Sequence, residues 1–169
     1  PQVEVSRSSS GFVKRLFELE VPESKAGLVK IMNIVREGGF RTKLSVCSED
    51  PNVDAVGACI GNKGVRVNAV VGELGGEKVD VIEWCADAIE YIARALSPAQ
   101  MLMVSMNEEE KTARVVVPVE KLSLAIGRNG QNARLAAKLT GWKIDVKPYS
   151  SIMSTEDAAA EAEGNADAE

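Results

Sequence analysis

The chain has 169 residues, 45% apolar but only 4% aromatic, which is material for one ordinary domain or two small ones around an aliphatic core. No stretch approaches the ~20 apolar residues of a membrane span. There is no histidine, which removes the commonest general base and zinc ligand. The three cysteines, Cys47, Cys59 and Cys85, have no CxxC spacing and are expected as buried free thiols in a reducing cytoplasm. The formal charge of −5 argues against a nucleic-acid binder only in sum. Six of the 25 acids and none of the 20 bases fall in residues 151–169, so residues 1–150 are close to neutral and any anion-binding surface has to come from local clusters of Lys and Arg.

Residues 2–6 alternate about Val3 and Val5 and are predicted as one strand, the last of a domain lying upstream. The start, Pro1-Gln2-Val3-Glu4, is not a signal peptide, and the missing initiator Met is expected of a processed or excised chain. Ser8-Ser9-Ser10 offers an N-cap to a helix carrying Phe12, Val13, Leu16 and Phe17 and stopping near Val21-Pro22. Residues 28–35 and 42–48 alternate on either side of Gly38-Gly39 and read as a hairpin. Asp54 caps a short helix running through Ala58, and residues 65–74 form another helix with Val67, Val70, Val71 and Leu74 on one side and Gly75-Gly76 at its end. A strand over 78–84 and an amphipathic helix over 86–96, closed by Ser97-Pro98, complete the first half. The pattern then restarts, with strands at 102–106 and 114–117 around the turn 107–111, helices at 120–126 and 130–139, and a strand at 143–147.

The restart is a repeat. Ile60-Gly61-Asn62-Lys63-Gly64 falls on Ile126-Gly127-Arg128-Asn129-Gly130 at an offset of 66, and Lys78-Val79-Asp80-Val81 falls on Lys143-Ile144-Asp145-Val146 at an offset of 65. The unit used twice is β-β-α-GxxG-α-β, strong evidence for two homologous small domains. Gly61, Gly64, Gly127 and Gly130 let a phosphate strand approach the main chain, and the helix after each turn points free N–H groups and a positive dipole end toward it. Lys63 and Arg128 add charge, while Asn62, Asn129, Gln131 and Asn132 add hydrogen-bonding groups. Arg66 and Arg134, early in the following helices, are placed to reach further phosphates or bases. Ile60 with Val81, and Ile126 with Val146, are the expected apolar platforms.

These residues carry a family resemblance. The order of elements resembles the prokaryotic (type II) KH domain, and the tandem resembles the KH pair of the NusA family of bacterial transcription elongation and termination factors. The likeness runs from about residue 3 to 148, through Phe17-Glu18-Leu19-Glu20-Val21-Pro22, Glu73-Leu74-Gly75-Gly76-Glu77-Lys78-Val79-Asp80 and Gly127-Arg128-Asn129-Gly130-Gln131-Asn132-Ala133-Arg134. It implies an α+β fold of two tandem type II KH domains, each a three-stranded sheet with helices packed on one face. The expected divisions are a lead segment 1–24, a first KH domain 25–97, a second 98–149 and an acidic, disordered tail 150–169. It further implies single-stranded RNA as ligand, each GxxG loop clamping about four nucleotides. RNA polymerase and antitermination factors are the implied partners, with no catalysis, cofactor or metal. Family members also carry polymerase-binding and OB-fold domains, of which only a final strand at 2–6 is expected in this sequence.

Other readings compete. Gly57-x-x-x-Gly61-Asn62-Lys63 is a poor phosphate loop for an NTPase, because no Lys directly follows the second glycine and the turn joins two helices where a P-loop follows a strand. The alternative function is a protein-interaction adaptor docking on RNA polymerase or an antitermination partner. Arg41, Lys43, Lys138, Lys143 and Lys147 are read as solvated surface, able to extend the RNA track. Trp84 and Trp142 are read as core or interface residues, and Asp54, Asp80 and Asp145 as caps and solvated strand faces. The tail is a candidate autoinhibitor. Gly61→Asp or Gly127→Asp is expected to weaken RNA binding with the fold intact, and the more polar second loop is expected to dominate.

Overall fold

Alternating apolar residues become a strand only where a partner offers its backbone hydrogen bonds. The structure, a computed structural model that describes residues 2–151, shows which runs find one. The first sheet consists of β1 (Lys30–Glu37), β2 (Arg41–Cys47) and β3 (Lys78–Glu83), in that spatial order. β1 and β2 are an antiparallel hairpin, and β3 lies parallel to β2. The second sheet repeats this arrangement with β4 (Met103–Asn107), β5 (Thr112–Val117) and β6 (Lys143–Pro148). Two three-stranded mixed sheets with helices confirm the expected α+β class. Residues 2–6, expected as a strand, are exposed and form none: no other strand among the described residues offers them a ladder. The expected tail, apart from its first residues, lies outside the described residues.

The helices are α1 (Ser10–Glu20), α2 (Pro22–Lys25), α3 (Ala55–Ile60), α4 (Val65–Glu73), α5 (Ala88–Ala95), α6 (Leu122–Ile126) and α7 (Gln131–Thr140). Asp54 caps α3, its carboxylate accepting from the Gly57 N–H at 2.9 Å, and Asp87 caps α5 by accepting from the Ile89 N–H at 3.0 Å. Ser9 occupies the cap position of α1 without a side-chain capping bond. The single turn α2, with Pro22 at its start, is too short to show a periodicity and was not expected. Packing repeats as well: α1 lies on α4 and α5 lies on α7, so each unit has a helix in front of its first strand.

Two apolar cores result. Val13, Phe17, Leu44, Val46, Cys59 and Val70 form the first, and burial pushes the Cys59 thiol up to about 11, leaving it inert. The second gathers Tyr91, Ile92, Leu96, Val115, Val117, Leu139 and Trp142 around α5 and α7, and Ile82 of the first sheet joins it. Residues Thr42 to Val46 of β2 are consequently all buried. Leu44 and Val46 face the first sheet's own helices. Lys43 and Ser45 face the other way, toward the second unit, where Ser45 Oγ meets Tyr91 Oη at 2.8 Å and Lys43 Nζ donates to Ser97 O at 2.8 Å. The first sheet is thus covered on both faces.

Lys43 therefore departs from its expected place on the surface. Its ammonium is fully buried against Asp80 at 2.9 Å, and burial lowers its pKa while Asp80 pulls back toward the charged form. Asp80 also takes Arg41 at 2.7 Å, so this carboxylate is an ion-pair hub and not a solvated strand face. A second hub is Glu77, whose buried carboxylate accepts from Arg36, from Thr42 Oγ1 at 2.6 Å and from the Gly39 N–H at 2.7 Å. Burial alone would raise its pKa, but these donors hold it below the ordinary value. Arg36 continues to the carbonyls of Arg7 and Ser9, tying the N-terminal segment to the first sheet.

Candidate nucleic-acid interface

Each Gly-x-x-Gly stretch is a one-turn 3-10 segment between two helices, Asn62–Gly64 in the first unit and Arg128–Gly130 in the second. The backbones coincide to within a few degrees. Gly61 has φ 75°, ψ 171° and Gly127 has φ 77°, ψ 173°; Gly64 and Gly130 are left-handed at φ 76° and 73°. The first glycine of each pair occupies a region that only glycine enters readily. A Cβ at Gly61 would sit 2.7 Å from Arg66 Cγ, and one at Gly127 would sit 2.7 Å from the Asn132 backbone N. Gly61→Asp and Gly127→Asp would therefore disturb the loop itself, unlike changes at the middle positions. There Asn62, Lys63, Arg128 and Asn129 are all exposed. Neither α4 nor α7 receives a side-chain cap at its N-terminus; the Val65 and Gln131 N–H groups donate instead to Asn62 O and Arg128 O within the turns.

The residue five places after the first glycine braces each loop, Arg66 in the first and Asn132 in the second, in place of the expected RNA contact. Arg66 Nη1 donates to Ala58 O at 2.7 Å and to Glu23 Oε2 at 2.8 Å, linking loop one to α2. Asn132, expected to contact RNA, is fully buried. Its amide donates to Ala125 O at 2.9 Å and Leu96 O at 3.0 Å, linking loop two to the end of α5. Its position under α7 and against the joint excludes solvent, so it positions the loop and is unavailable to a strand outside. The matched spacing was visible in the sequence, but the partners were not.

Gln131 and Arg134 meet an acid from the other unit. Glu37, at the end of β1, accepts from Arg134 Nε at 2.6 Å and from Gln131 Nε2 at 2.8 Å. These hydrogen bonds, the Arg134 guanidinium first, hold its carboxyl down to about 2. Arg134 remains exposed and also donates to Asn129 O at 3.1 Å. Both loops are acid-free in sequence, yet each has one acid beside it in space, Glu23 and Glu37.

The expected apolar platforms are half-buried: Ile60 and Val81 in one unit, Ile126 and Val146 in the other. Val56, Val81, Ile82, Glu83, Arg94 and Ser97 line a groove of about 340 Å³ between α3 and β3. Lys138, Lys143 and Lys147 are exposed. Trp142 lies in the second core with Lys111 Nζ 4.8 Å above its ring, whereas Trp84 is partly exposed and stands edge-on to Tyr91 at 6.5 Å. Among the described residues no helix is long and apolar enough to cross a membrane, and no group of His, Cys, Asp or Glu is arranged to hold a metal ion.

Comparison with known proteins agrees with this geometry. A family model described as the NusA-like first KH domain matches residues 7–84, and one described as the NusA-like second KH domain matches residues 88–153. The chain is 58% identical over 150 residues to the transcription termination/antitermination protein NusA of Halalkalibacterium halodurans, covering 89% of this chain and 39% of that protein. It is 58% identical over 147 residues to the protein of the same name from Bacillus subtilis, covering 87% and 40%, and 51% identical over 144 residues to that of Thermus thermophilus, covering 85% and 37%. The chain thus spans about two fifths of the length of these curated relatives. The crystal structure of APE1850 shares the fold, with a TM-score of 0.58 at 18% identity over 85% of this chain and 99% of that one. The chain belongs to the NusA family, as its tandem of first and second KH domains.

Proposed function

We propose that the two GxxG loops clamp the backbone of single-stranded RNA, and that the chain does so as the KH region of a factor acting on nascent RNA at RNA polymerase during termination and antitermination, in the cytoplasm. The observation that carries this reading is the coincidence of the two loops. Two stretches 66 residues apart hold the same glycine-only backbone, expose a cation each (Lys63 and Arg128), and present helix N-termini without side-chain caps. A packed corner has no need of exposed cations, whereas a phosphate strand uses both those cations and the close approach to the main chain that the glycines allow. The contact residues on this reading are Gly61, Asn62, Lys63 and Gly64 in the first loop. In the second they are Gly127, Arg128, Asn129 and Gly130, with Gln131 and Arg134 at its rim. Arg66 and Asn132 act by holding the loops. The working units are α1 through β3 and α5 through β6, in place of cuts at residues 24 and 97, because each front helix packs on its own GxxG helix.

The test uses two double variants, Asn62→Asp with Lys63→Asp and Arg128→Asp with Asn129→Asp. Exposed positions carry them, so circular dichroism should be unchanged and melting should not fall. Each is expected to weaken binding of an unstructured RNA at least tenfold, the second loop more than the first. Wild-type affinity in both variants would refute the reading. Polymerase and antitermination partners are proposed through the family, and binding of this chain to polymerase stripped of RNA separates an adaptor role from an RNA role.

A further inference from the structure

The β1–β2 turn of the first unit, Gly38-Gly39-Phe40, reaches across to the second GxxG loop. Phe40 is 69% exposed and belongs to neither apolar core. With Glu37, Arg128, Asn129, Gln131 and Arg134 it lines a cavity of about 340 Å³ between the two units. The turn that presents the ring is held firmly. The Phe40 N–H donates to Glu37 O at 3.0 Å, the Lys78 N–H donates to Phe40 O at 3.1 Å, and the Gly39 N–H donates to buried Glu77. A ring fixed on a braced turn loses little freedom when a ligand covers it.

The chemistry of the cleft selects what enters. Glu37 neutralises Arg134 and puts a carboxylate in the wall, which disfavours a phosphate there. An aromatic face and polar side chains, by contrast, suit the flat, hydrogen-bonding body of a nucleobase, and the volume falls in the range of small-ligand pockets. Arg128 and Asn129 belong both to the cleft and to the loop, so a nucleotide with its phosphate on the loop has its base within the same space. We propose that Phe40 stacks on a base of the strand whose backbone the second loop holds, so that the first domain supplies a base contact to the second domain's site. This inference rests on the RNA reading of the loops.

The experiment takes the whole chain and unstructured RNAs of about 12 nucleotides, enough to span both loops, each carrying one abasic site or one 2-aminopurine at a different position. In the wild type, one abasic position should weaken binding about tenfold, and 2-aminopurine at that position should change its emission on binding as it leaves its neighbouring bases. Phe40→Ala should weaken intact RNA by the same factor, lose that emission change and show no further loss with the abasic strand. Phe40→Leu should recover little, since it keeps the apolar bulk without the aromatic face. Melting of both variants should match the wild type because the ring is outside the cores. If Phe40→Ala binds intact RNA as the wild type does while the Arg128→Asp, Asn129→Asp variant fails, the stacking proposal is wrong and the exposed ring is left to a protein partner. If the loop variant also binds normally, the RNA reading falls and takes this inference with it.

Discussion

Lys63 sits at φ 53°, ψ 28° and its repeat-mate Asn129 at φ 55°, ψ 29°, the left-handed region that asparagine tolerates and lysine resists. Lysine at this position therefore sits against a local conformational preference. Lys63→Asn should stabilise the fold by about 1 kcal/mol in urea denaturation. It should also reduce the slope of log affinity against log salt by about 1, as loss of one phosphate contact does. The glycines separate by surroundings. At Gly130 a Cβ meets nothing within 4 Å, so Gly130→Ala should lose only about 1 kcal/mol from its positive φ. At Gly127 the Cβ strikes the Asn132 backbone in a glycine-only conformation, and Gly127→Ala should lose about 2–3 kcal/mol. Equal midpoints for the two variants would contradict this assignment.

At the scale of elements, two carboxylates fix how β1 and the helices meet. Glu77→Ala should destabilise the protein by about 3 kcal/mol or more, because it strands the nearly buried Arg36 without its counter-charge. Glu37 joins β1 to α7, and its pH signature has a definite sign. With a folded value of about 2 against an ordinary 4.5, its stabilisation is fully present above 4.5 and is lost as pH falls through about 2. The gap in urea midpoint between wild type and Glu37→Gln should accordingly be constant above pH 4.5 and close toward pH 2. A gap that persists unchanged at pH 2 would show that the loss is one of shape and not of charge. The strands and helices themselves were legible, since alternation, Asp54 as a cap and Gly75-Gly76 as a stop are local signals. Residues 2–6 carried the same alternation and misled, because periodicity reports an amphipathic face and not the partner strand. The hubs were illegible for a related reason: Glu77 draws its donors from 35 to 41 residues away, and no local pattern announces that.

For the whole molecule, the repeat told of two units but not of their joint. The buried Lys43, the Glu37 clasp 97 residues away in sequence from Arg134, and α7 against the first sheet make the contact between units part of the fold. Asn132 was misread for this reason, its amide being spent on Leu96 at the joint. On the RNA reading proposed above, a fixed joint would hold two weak sites in register on one strand and so raise their effective concentration. Whether both loops contact phosphate is read from the salt dependence of RNA affinity. Wild type is to be compared with a variant carrying Asn62→Asp, Lys63→Asp, Arg128→Asp and Asn129→Asp together. A shallower slope and loss of most affinity are expected in the variant, with no fall in melting temperature. The same slope and affinity in both proteins would contradict phosphate contact by the loops.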